Sequence, residues 1–416
     1  MHKPIRILLL TQWFDPEPTF KGLVFARELV RQGFDVEVVT GFPNYPGGKI
    51  YPGYKIKWLQ RELIDGVHIT RVPLYPNHDQ SAVKRVLNYL SFAASTLIYG
   101  VFMAQRAHVI YAYHPPLTVG ITASLIRFFR GIHVVYDIQD MWPDTLRATG
   151  MLNNPRALRI IDAACRWVYR TVDHIVVLSP GFKRLLLQRG VPEDKVGVIY
   201  NWADEASIST AVGNLPDNFP GRDRFKILFA GNMGKAQALD AVLEAAFRLK
   251  TMAPSVCFVM VGGGVEVERL KRNAVEMGLD NVVFFPSVPM NEVGVYLNMA
   301  DALLVHLRKD LLFEITIPSK TQAYMAACKP LLMAVDGDAA DLVKESGGGV
   351  VAESGDAEAL AKAVLQLANT SRVDLEAMGQ QAQSYYRERL ALAVGVQKFG
   401  DLFRQLAQAG GGAAGR

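Results

Sequence analysis

Cysteine is scarce in this chain of 416 residues, which contains only Cys165, Cys257 and Cys328. The three are far apart in sequence, their number is odd, and no CxxC pair is present. This pattern excludes a disulfide framework and gives no support to a zinc site. The sequence therefore predicts free thiols in a reducing compartment.

Several short catalytic motifs are also missing. The chain has no HExxH, no Walker A lysine loop and no GxSxG. Their absence argues against the commonest zinc peptidases, P-loop NTPases and α/β-hydrolases. The first residues do not read as a signal peptide, because the apolar run stops at Leu10 and no small-residue cleavage site follows. We interpret that run as a first buried strand.

Positive charge is concentrated in the first half of the chain. The whole chain carries +5, but residues 1–200 contain 24 Lys and Arg against 15 Asp and Glu, and the remainder is mildly acidic. Such an asymmetry indicates an anionic surface facing the first half, either nucleic acid or membrane. No nucleic-acid motif accompanies the charge, so we predict a membrane surface and no nucleic acid.

Residues 86–104 contain no charged side chain and are flanked by Lys84, Arg85 and Arg106. The length just reaches what a bilayer span requires. Polar residues inside the run, such as Asn88 and Thr96, weaken insertion. Three interpretations stay open: a buried core helix, a helix resting in a membrane interface, or a true span.

Short apolar runs alternate with helical patterns throughout, which predicts an α/β protein with parallel sheets covered on both faces. The length favours two domains. We expect a first domain over 1–200, a linker over 201–223 rich in Asn, Asp, Gly and Pro, and a second domain over 224–390. The Gly/Ala-rich tail 408–416 is expected to be disordered.

Glycines and lysines cluster where strands of the second half give way to helices. Gly231, Asn232 and Lys235 follow one predicted strand, and Gly262 and Gly263 follow the next. After a third strand, Pro318, Ser319 and Lys320 open a helix, where free backbone N–H groups and the helix dipole favour a phosphate. In an open parallel sheet these loops share one edge, so the three features together predict an anion site.

The first half offers a second group of polar strand-end residues. Lys21 and Gly22 follow the first strand and open a helix, while Asp140 and Trp142 lie in a segment that follows a later strand. Acids and an indole at a strand end suit a polar site with a stacking wall. His114 follows another apolar strand and either lines a ligand cleft or is structural.

Taken together, these segments resemble the family-4 glycosyltransferases from Ile5 to about Phe403. The resemblance rests on the strand-end segments above, on Gly33–Val38, on Val176–Ser179 and on Lys329-Pro330. The segments 41–48, 137–142 and 231–237 resemble bacterial surface-polysaccharide transferases of the O-antigen and colanic-acid type.

The resemblance implies the GT-B fold, with two Rossmann-like domains whose parallel sheets face a cleft, and a helix over 391–407 that returns to the first domain. It also implies transfer of a hexose or amino-hexose, with retention, from a nucleotide diphosphate sugar that we expect to be UDP-linked. No metal and no cofactor are expected. The acceptor would be a polyprenyl-diphosphate-linked saccharide at the cytoplasmic face of the inner membrane, with a role in O-antigen, exopolysaccharide or capsule synthesis.

By this resemblance, Glu314 and Asp140 are the catalytic candidates, and His114 and Trp142 lie on the acceptor side. The donor-binding candidates are Lys21, Gly22, Gly231, Asn232, Lys235, Gly262, Gly263, Pro318, Ser319, Lys320 and Gln322.

One departure concerns the family's two glutamates, which are eight residues apart. Counting back from Lys329 gives Ala323 and Ile315, whereas Glu314 and Gln322 have the right spacing but are shifted by one position. Glu314 is thus expected to replace the first acid, and Gln322 stands where the ribose-binding acid is expected. The alternatives are a GT-B-fold sugar-nucleotide epimerase and a non-catalytic membrane-associated assembly partner.

Overall fold

A computed structural model describes residues 4–77, 82–209, 214–221 and 223–411. The chain forms two compact units. The first contains the residues up to Leu178, 182–199 and those from Gly395 onward; the second contains Ser179–Gly181 and Tyr200–Val394. The stretch 201–223, predicted as a linker, is grouped with the second unit.

The first unit is built on a sheet of eight strands: β1 (Arg6–Leu10), β2 (Asp35–Gly41), β3 (Gln60–Ile64), β4 (Val67–Val72), β5 (Val109–Tyr113), β6 (His133–Ile138), β7 (His174–Val177) and β8 (Val196–Val198). Their order is β3-β4-β2-β1-β5-β6-β7-β8, parallel except for the β3–β4 hairpin. The helices that accompany this sheet are α1 (Leu23–Arg31), α2 (Ala82–Phe102), α3 (Leu117–Arg130), α4 (Asp144–Ala148), α5 (Pro155–Thr171), α6 (Pro180–Gln188) and α16 (Leu392–Gly411).

The second unit has six parallel strands: β9 (Phe225–Ala230), β10 (Val256–Val261), β11 (Val282–Phe285), β12 (Ala302–His306), β13 (Leu331–Ala334) and β14 (Gly349–Ala352). Their order, β11-β10-β9-β12-β13-β14, is the doubly wound Rossmann order. The helices are α7 (Glu205–Ser209), α8 (Asp240–Met252), α9 (Val267–Glu276), α10 (Met290–Met299), α11 (Leu311–Glu314), α12 (Ser319–Ala326), α13 (Asp338–Ser346), α14 (Ala357–Ala368) and α15 (Arg372–Arg389).

Both sheets are buried because their central strands consist almost entirely of apolar residues. The central strands β1, β5, β10 and β12 are almost wholly apolar, and nearly every residue in them is inaccessible to water. Continuous apolar strands of this kind need helices on both faces. The predicted α/β class with two parallel-sheet domains is therefore confirmed.

The C-terminal helix belongs to the first unit from Gly395 onward. Phe399 of α16 packs edge-on against Phe25 and Tyr111, with ring centroids 5.3 Å apart in each case. The helix continues to Gly411 and so includes 408–411, where the sequence favoured disorder. The last five residues of the predicted tail, 412–416, lie outside the described residues.

Within the described parts of the chain, no helix combines the length and the apolar character that crossing a bilayer requires.

Candidate active site

The carboxyl edge of the second sheet carries the glycine-rich loops. β9 ends at Ala230 and is followed by Gly231, while the neighbouring β10 ends at Val261 and is followed by Gly262. The strand order reverses between β9 and β12. In doubly wound sheets such a switch point opens a crevice for a ligand beyond the strand ends.

The two loops approach each other so closely that glycine is required. The Gly231 amide donates to the Val261 carbonyl over 2.9 Å. Gly262 has a φ of +144°, and a Cβ on it would lie 2.0 Å from the Gly231 carbonyl oxygen. A side chain at residue 262 would therefore push the loops apart. Two bare backbone segments lie side by side at this edge, where an anion can approach them.

Lys320 supplies a positive charge at the same place. It is the second residue of α12, which begins at Ser319 directly after Pro318. The Lys320 Nζ lies 3.6 Å from the centroid of the Phe229 ring. A Cβ on Gly231 would lie 3.3 Å from the same Nζ atom. Within the described residues, this Nζ is buried and has no hydrogen-bond partner. Burial lowers the pKa of Lys320 to about 7.

A buried ammonium group without a counter-ion is costly. Here it lies in the first turn of α12, where the leading backbone N–H groups have no partner within the helix. Both features favour an anion, and a diphosphate would satisfy the lysine and the N–H groups together. The site is thus suited to stabilising negative charge.

Two aromatic side chains hold the surrounding backbone in place. The Tyr324 hydroxyl on α12 accepts from the Ala230 amide over 2.8 Å and lies 3.1 Å from the Ala230 carbonyl oxygen. His306, at the end of β12, places its Nδ1 2.6 Å from the Gln237 carbonyl oxygen. Burial lowers the pKa of His306, so its ring is neutral at physiological pH. Tyr324 therefore ties the end of β9 to α12.

The other predicted residues of the second unit differ in exposure. Lys235, Asn232 and Ser319 are exposed to solvent, and Gly263 is partly exposed. Gln322 is buried, and in its better-satisfied orientation its amide nitrogen donates to the Pro318 carbonyl over 2.8 Å. Its contact with a ribose therefore stays a prediction.

Glu314, the last residue of α11, lines an open cavity of about 540 Å³. Lys309, Asp336, Lys344 and Glu353 contribute the other charged groups of this cavity. Lys320 does not line it. The structure thus assembles Gly231, Gly262 and Lys320 into one cluster, and it places Glu314 in a cavity that these three residues do not line.

In the first unit, Lys21 is completely buried. Its Nζ forms an ion pair with Asp137 Oδ2 over 2.6 Å, and the other oxygen of Asp137 accepts from Gln139 over 2.6 Å. The Tyr111 hydroxyl also donates to Asp137, over 2.5 Å. Gly22 directly precedes α1, and a larger residue does not fit there, because a Cβ would lie 2.1 Å from the Asp15 carboxylate. That carboxylate accepts a hydrogen bond from the Leu23 amide.

His114 and Trp142 lie together in the first unit, with ring centroids 5.3 Å apart at nearly a right angle. His114 is buried, and burial lowers its pKa to about 3, so its ring is neutral. Burial also raises the pKa of Asp140, which therefore keeps its proton closer to neutral pH than an ordinary aspartate. Asp140 comes two residues before Trp142, and the Trp142 amide donates to its carbonyl over 3.0 Å.

Phe229, His306 and Tyr324 were not predicted as site residues. A histidine ending an apolar strand was a usable signal for His306. Nothing in the local sequence marks Phe229 or Tyr324, because their role depends on packing between β9 and α12. Among the described residues, no group of three or more His, Cys, Asp and Glu side chains could hold a metal ion.

Comparison with known families agrees with this geometry. Residues 23–202 match the Glycosyl transferase 4-like domain, and residues 216–385 match the Glycosyl transferases group 1 domain. The chain belongs to the family-4 glycosyltransferases. The predicted resemblance is confirmed, and the chain is an enzyme of the glycosyltransferase class.

Two relatives extend the comparison. A protein of Escherichia coli K12 named as a colanic acid biosynthesis glycosyl transferase, WcaI, is 28% identical over 347 residues, covering 77% of this chain and 81% of that protein. The Pseudomonas aeruginosa protein named as glycosyltransferase WbjE is 25% identical over 312 residues, covering 73% and 76%.

Solved structures share the fold at low identity. Sucrose-phosphate synthase from Thermosynechococcus elongatus superposes with a TM-score of 0.73 at 16% identity, covering 97% of this chain and all of that one. HepE from Anabaena, solved with UDP, gives 0.68 at 15% identity, covering 96% of this chain and all of that one. These likenesses establish the GT-B fold for this glycosyltransferase.

Proposed function

We propose that this glycosyltransferase moves a hexose or amino-hexose, with retention at the anomeric carbon, from a UDP-sugar to a lipid-linked saccharide. The observation that carries the donor half of this proposal is the buried Lys320 ammonium beside Gly231 at the start of α12. The structures of Anabaena HepE include complexes with UDP and with UDP-glucose, which supports a uridine nucleotide.

The leaving group of this reaction is a nucleoside diphosphate, which gains negative charge as the glycosidic bond breaks. In the proposal, Lys320 and the first N–H groups of α12 stabilise that charge, and Lys235 adds a second cation. Gly262 and Gly263 let the donor approach the backbone. Stabilising developing charge with groups already in place is commonly the largest single contribution to catalysis.

Two carboxyl groups complete the proposal. Glu314 would contact the transferred sugar, and Asp140 of the first unit would act as the second catalytic carboxyl. The raised pKa of Asp140 suits a group that holds a proton near neutral pH. His114 and Trp142 stay proposed acceptor-side residues.

The acceptor half of the proposal rests on the WcaI relative and on the basic first half of the chain. We propose a polyprenyl-diphosphate-linked saccharide as the acceptor. The enzyme would work in bacterial surface polysaccharide synthesis, on the cytoplasmic face of the inner membrane.

A panel of nucleotide sugars, screened by thermal shift in excess EDTA, tests the donor assignment. We expect UDP-sugars to raise the melting temperature by several degrees, because a ligand at one hundred times its Kd stabilises a protein by about 2.7 kcal/mol. GDP- and dTDP-sugars should shift it less. A shift that requires magnesium or manganese would contradict the metal-independent site, and free epimerised sugar as the product would favour the epimerase.

The lowered pKa of Lys320 makes donor binding depend on pH. Below about pH 7 the lysine is already protonated, so affinity for UDP-glucose should be flat. Above this value the free protein must take up a proton to bind the diphosphate, and affinity should fall by up to about tenfold per pH unit. Titration calorimetry at several pH values measures the slope. His306, neutral in this range, should not contribute.

Lys320→Ala provides the control for this pH dependence. It should bind UDP-glucose weakly and with little variation above pH 7, because the titrating group is gone. An unchanged slope in this variant would assign the pH dependence to another group.

A further inference from the structure

Helix α2 presents an apolar stripe to the outside of the first unit. Its outward residues recur at helical spacing, and the largest are well exposed: Leu90 by 54%, Ile98 by 44% and Phe102 by 81%. Val86 and Leu87 continue the stripe toward the start of the helix. A surface helix in water ordinarily turns charged and polar residues outward. A continuous exposed apolar face of this kind indicates an interaction surface.

Two polar residues of α2, Asn88 and Tyr99, lie on its buried side instead. Asn88 is buried, accepts from Gln12 over 2.5 Å and donates to the Tyr75 carbonyl over 2.7 Å. The Tyr99 hydroxyl, also buried, donates to Glu37 over 2.5 Å. Asn88 and Tyr99 are thus hydrogen-bonded inside the unit, while the large apolar side chains Leu90, Ile98 and Phe102 point outward. This reversal fits a helix whose outer face meets an apolar medium.

The helix next to α2 extends the exposed apolar surface. Phe128 and Phe129, near the end of α3, are exposed by 81% and 61%. Arg130 follows them and donates to the carbonyls of Gly100 and Ala104 over 2.7 and 2.9 Å. The C-terminal ends of α2 and α3 therefore lie against each other, and both expose aromatic rings.

Basic residues surround this surface, and acids are absent from the helices that form it. Lys84 and Arg85 lie in the first turn of α2, and Arg106 follows its end. Neither α2 nor α3 contains an aspartate or a glutamate. An apolar face with a basic border is complementary to anionic headgroups above acyl chains.

We propose that the outer face of α2, with Phe128 and Phe129, rests in the interface of an anionic lipid bilayer. The helix would lie in the plane of the membrane with Leu90, Ile98 and Phe102 among the upper acyl carbons. The membrane contact rests on the proposed function in one respect: the enzyme would meet its lipid-linked acceptor at this surface.

Flotation of the full chain with phosphatidylglycerol–phosphatidylcholine vesicles tests the inference. The variant Leu90→Gln/Ile98→Gln/Phe102→Gln should partition at least about tenfold less, because it removes the apolar contacts. Its melting temperature and its thermal shift with UDP-glucose should match wild type, since the three side chains are exposed. The control Val275→Gln/Val373→Gln changes two exposed apolar residues on helices of the second unit, at 80% and 75% exposure, and should bind as wild type does.

The basic border is tested separately. Lys84→Gln/Arg85→Gln should lose roughly fivefold in binding to anionic vesicles for each charge removed, and salt should weaken wild-type binding. Equal flotation of the triple glutamine variant and wild type would overturn the proposal. So would absence of wild-type binding, or a wild-type dimer in light scattering that the triple variant dissociates. Donor binding is measured without vesicles, so a failure of the proposed function is seen independently.

Discussion

Lys320→Ala should lower turnover at saturating donor by about 10²–10³-fold, the usual effect of removing one group that stabilises developing charge. In the proposed reaction, the Lys320 ammonium, whose Nζ is buried beside Gly231, meets the leaving diphosphate. Lys320 Nζ lies 3.6 Å from the centroid of the Phe229 ring, whereas Lys235 is exposed to solvent, so we expect Lys235 to replace it poorly. Initial-rate measurements with a UDP-sugar and a lipid-linked acceptor check this expectation.

The stability of the same variant should move in the opposite direction. The Lys320 Nζ is buried without a hydrogen-bond partner, so its removal relieves a desolvation cost. We expect Lys320→Ala to melt at or above the wild-type temperature. A loss of activity with retained stability separates a functional lysine from a structural one. Lys271→Ala on α9, an exposed lysine, is the matched control and should change neither quantity. Near-normal turnover in Lys320→Ala would contradict the diphosphate site.

Lys235 differs from Lys320 because it is exposed at the loop that follows β9. Its contribution depends on reaching the diphosphate from solvent, and water screens its charge in the empty protein. The proposal gives it the same kind of role as Lys320, and comparison of Lys235→Ala with Lys320→Ala separates the two contributions.

The alternation of strands and helices was predictable because the buried strands are continuously apolar. β10 (Val256–Val261), for example, is the apolar strand predicted to precede Gly262 and Gly263, and all six of its residues are buried. The β3–β4 hairpin was not predicted, since the edge strand β3 is mostly exposed and carries polar residues. Its signal was the Asp65-Gly66 pair, whose φ values of 51° and 83° suit a two-residue hairpin turn. The four-residue strands β13 and β14 were missed as well.

Part of the candidate site was predictable, because alternating strands and helices imply a parallel sheet whose strand ends share one edge. Glycines and lysines at strand ends indicated an anion site at one edge, and the second unit brings Gly231, Gly262 and Lys320 together. The burial of Lys320 over Phe229 was not predictable, because it depends on how α12 packs against β9. Lys21 was predicted to bind the donor, and the sequence did not indicate that its side chain is buried in an ion pair with Asp137.

Removing one member of the Lys21–Asp137 pair should destabilise the first unit by about 3–5 kcal/mol, because the remaining charge stays buried without its partner. Within the described residues, Lys21→Met would leave the Asp137 carboxylate with the hydrogen bonds from Tyr111 and Gln139.

For a unit of this size, we expect the first melting transition of Lys21→Met and of Asp137→Asn to fall by on the order of 10 °C. The double variant Lys21→Met/Asp137→Asn removes both charges and keeps an acceptor for Tyr111, so it should recover much of the loss. Calorimetry of the four proteins gives the coupling, and equal losses in the single and double variants would contradict it. The donor affinity of the double variant then tests whether Lys21 also binds the donor. If donor affinity recovers together with stability, the role of Lys21 is the ion pair alone. A donor affinity that stays low would assign Lys21 to donor binding.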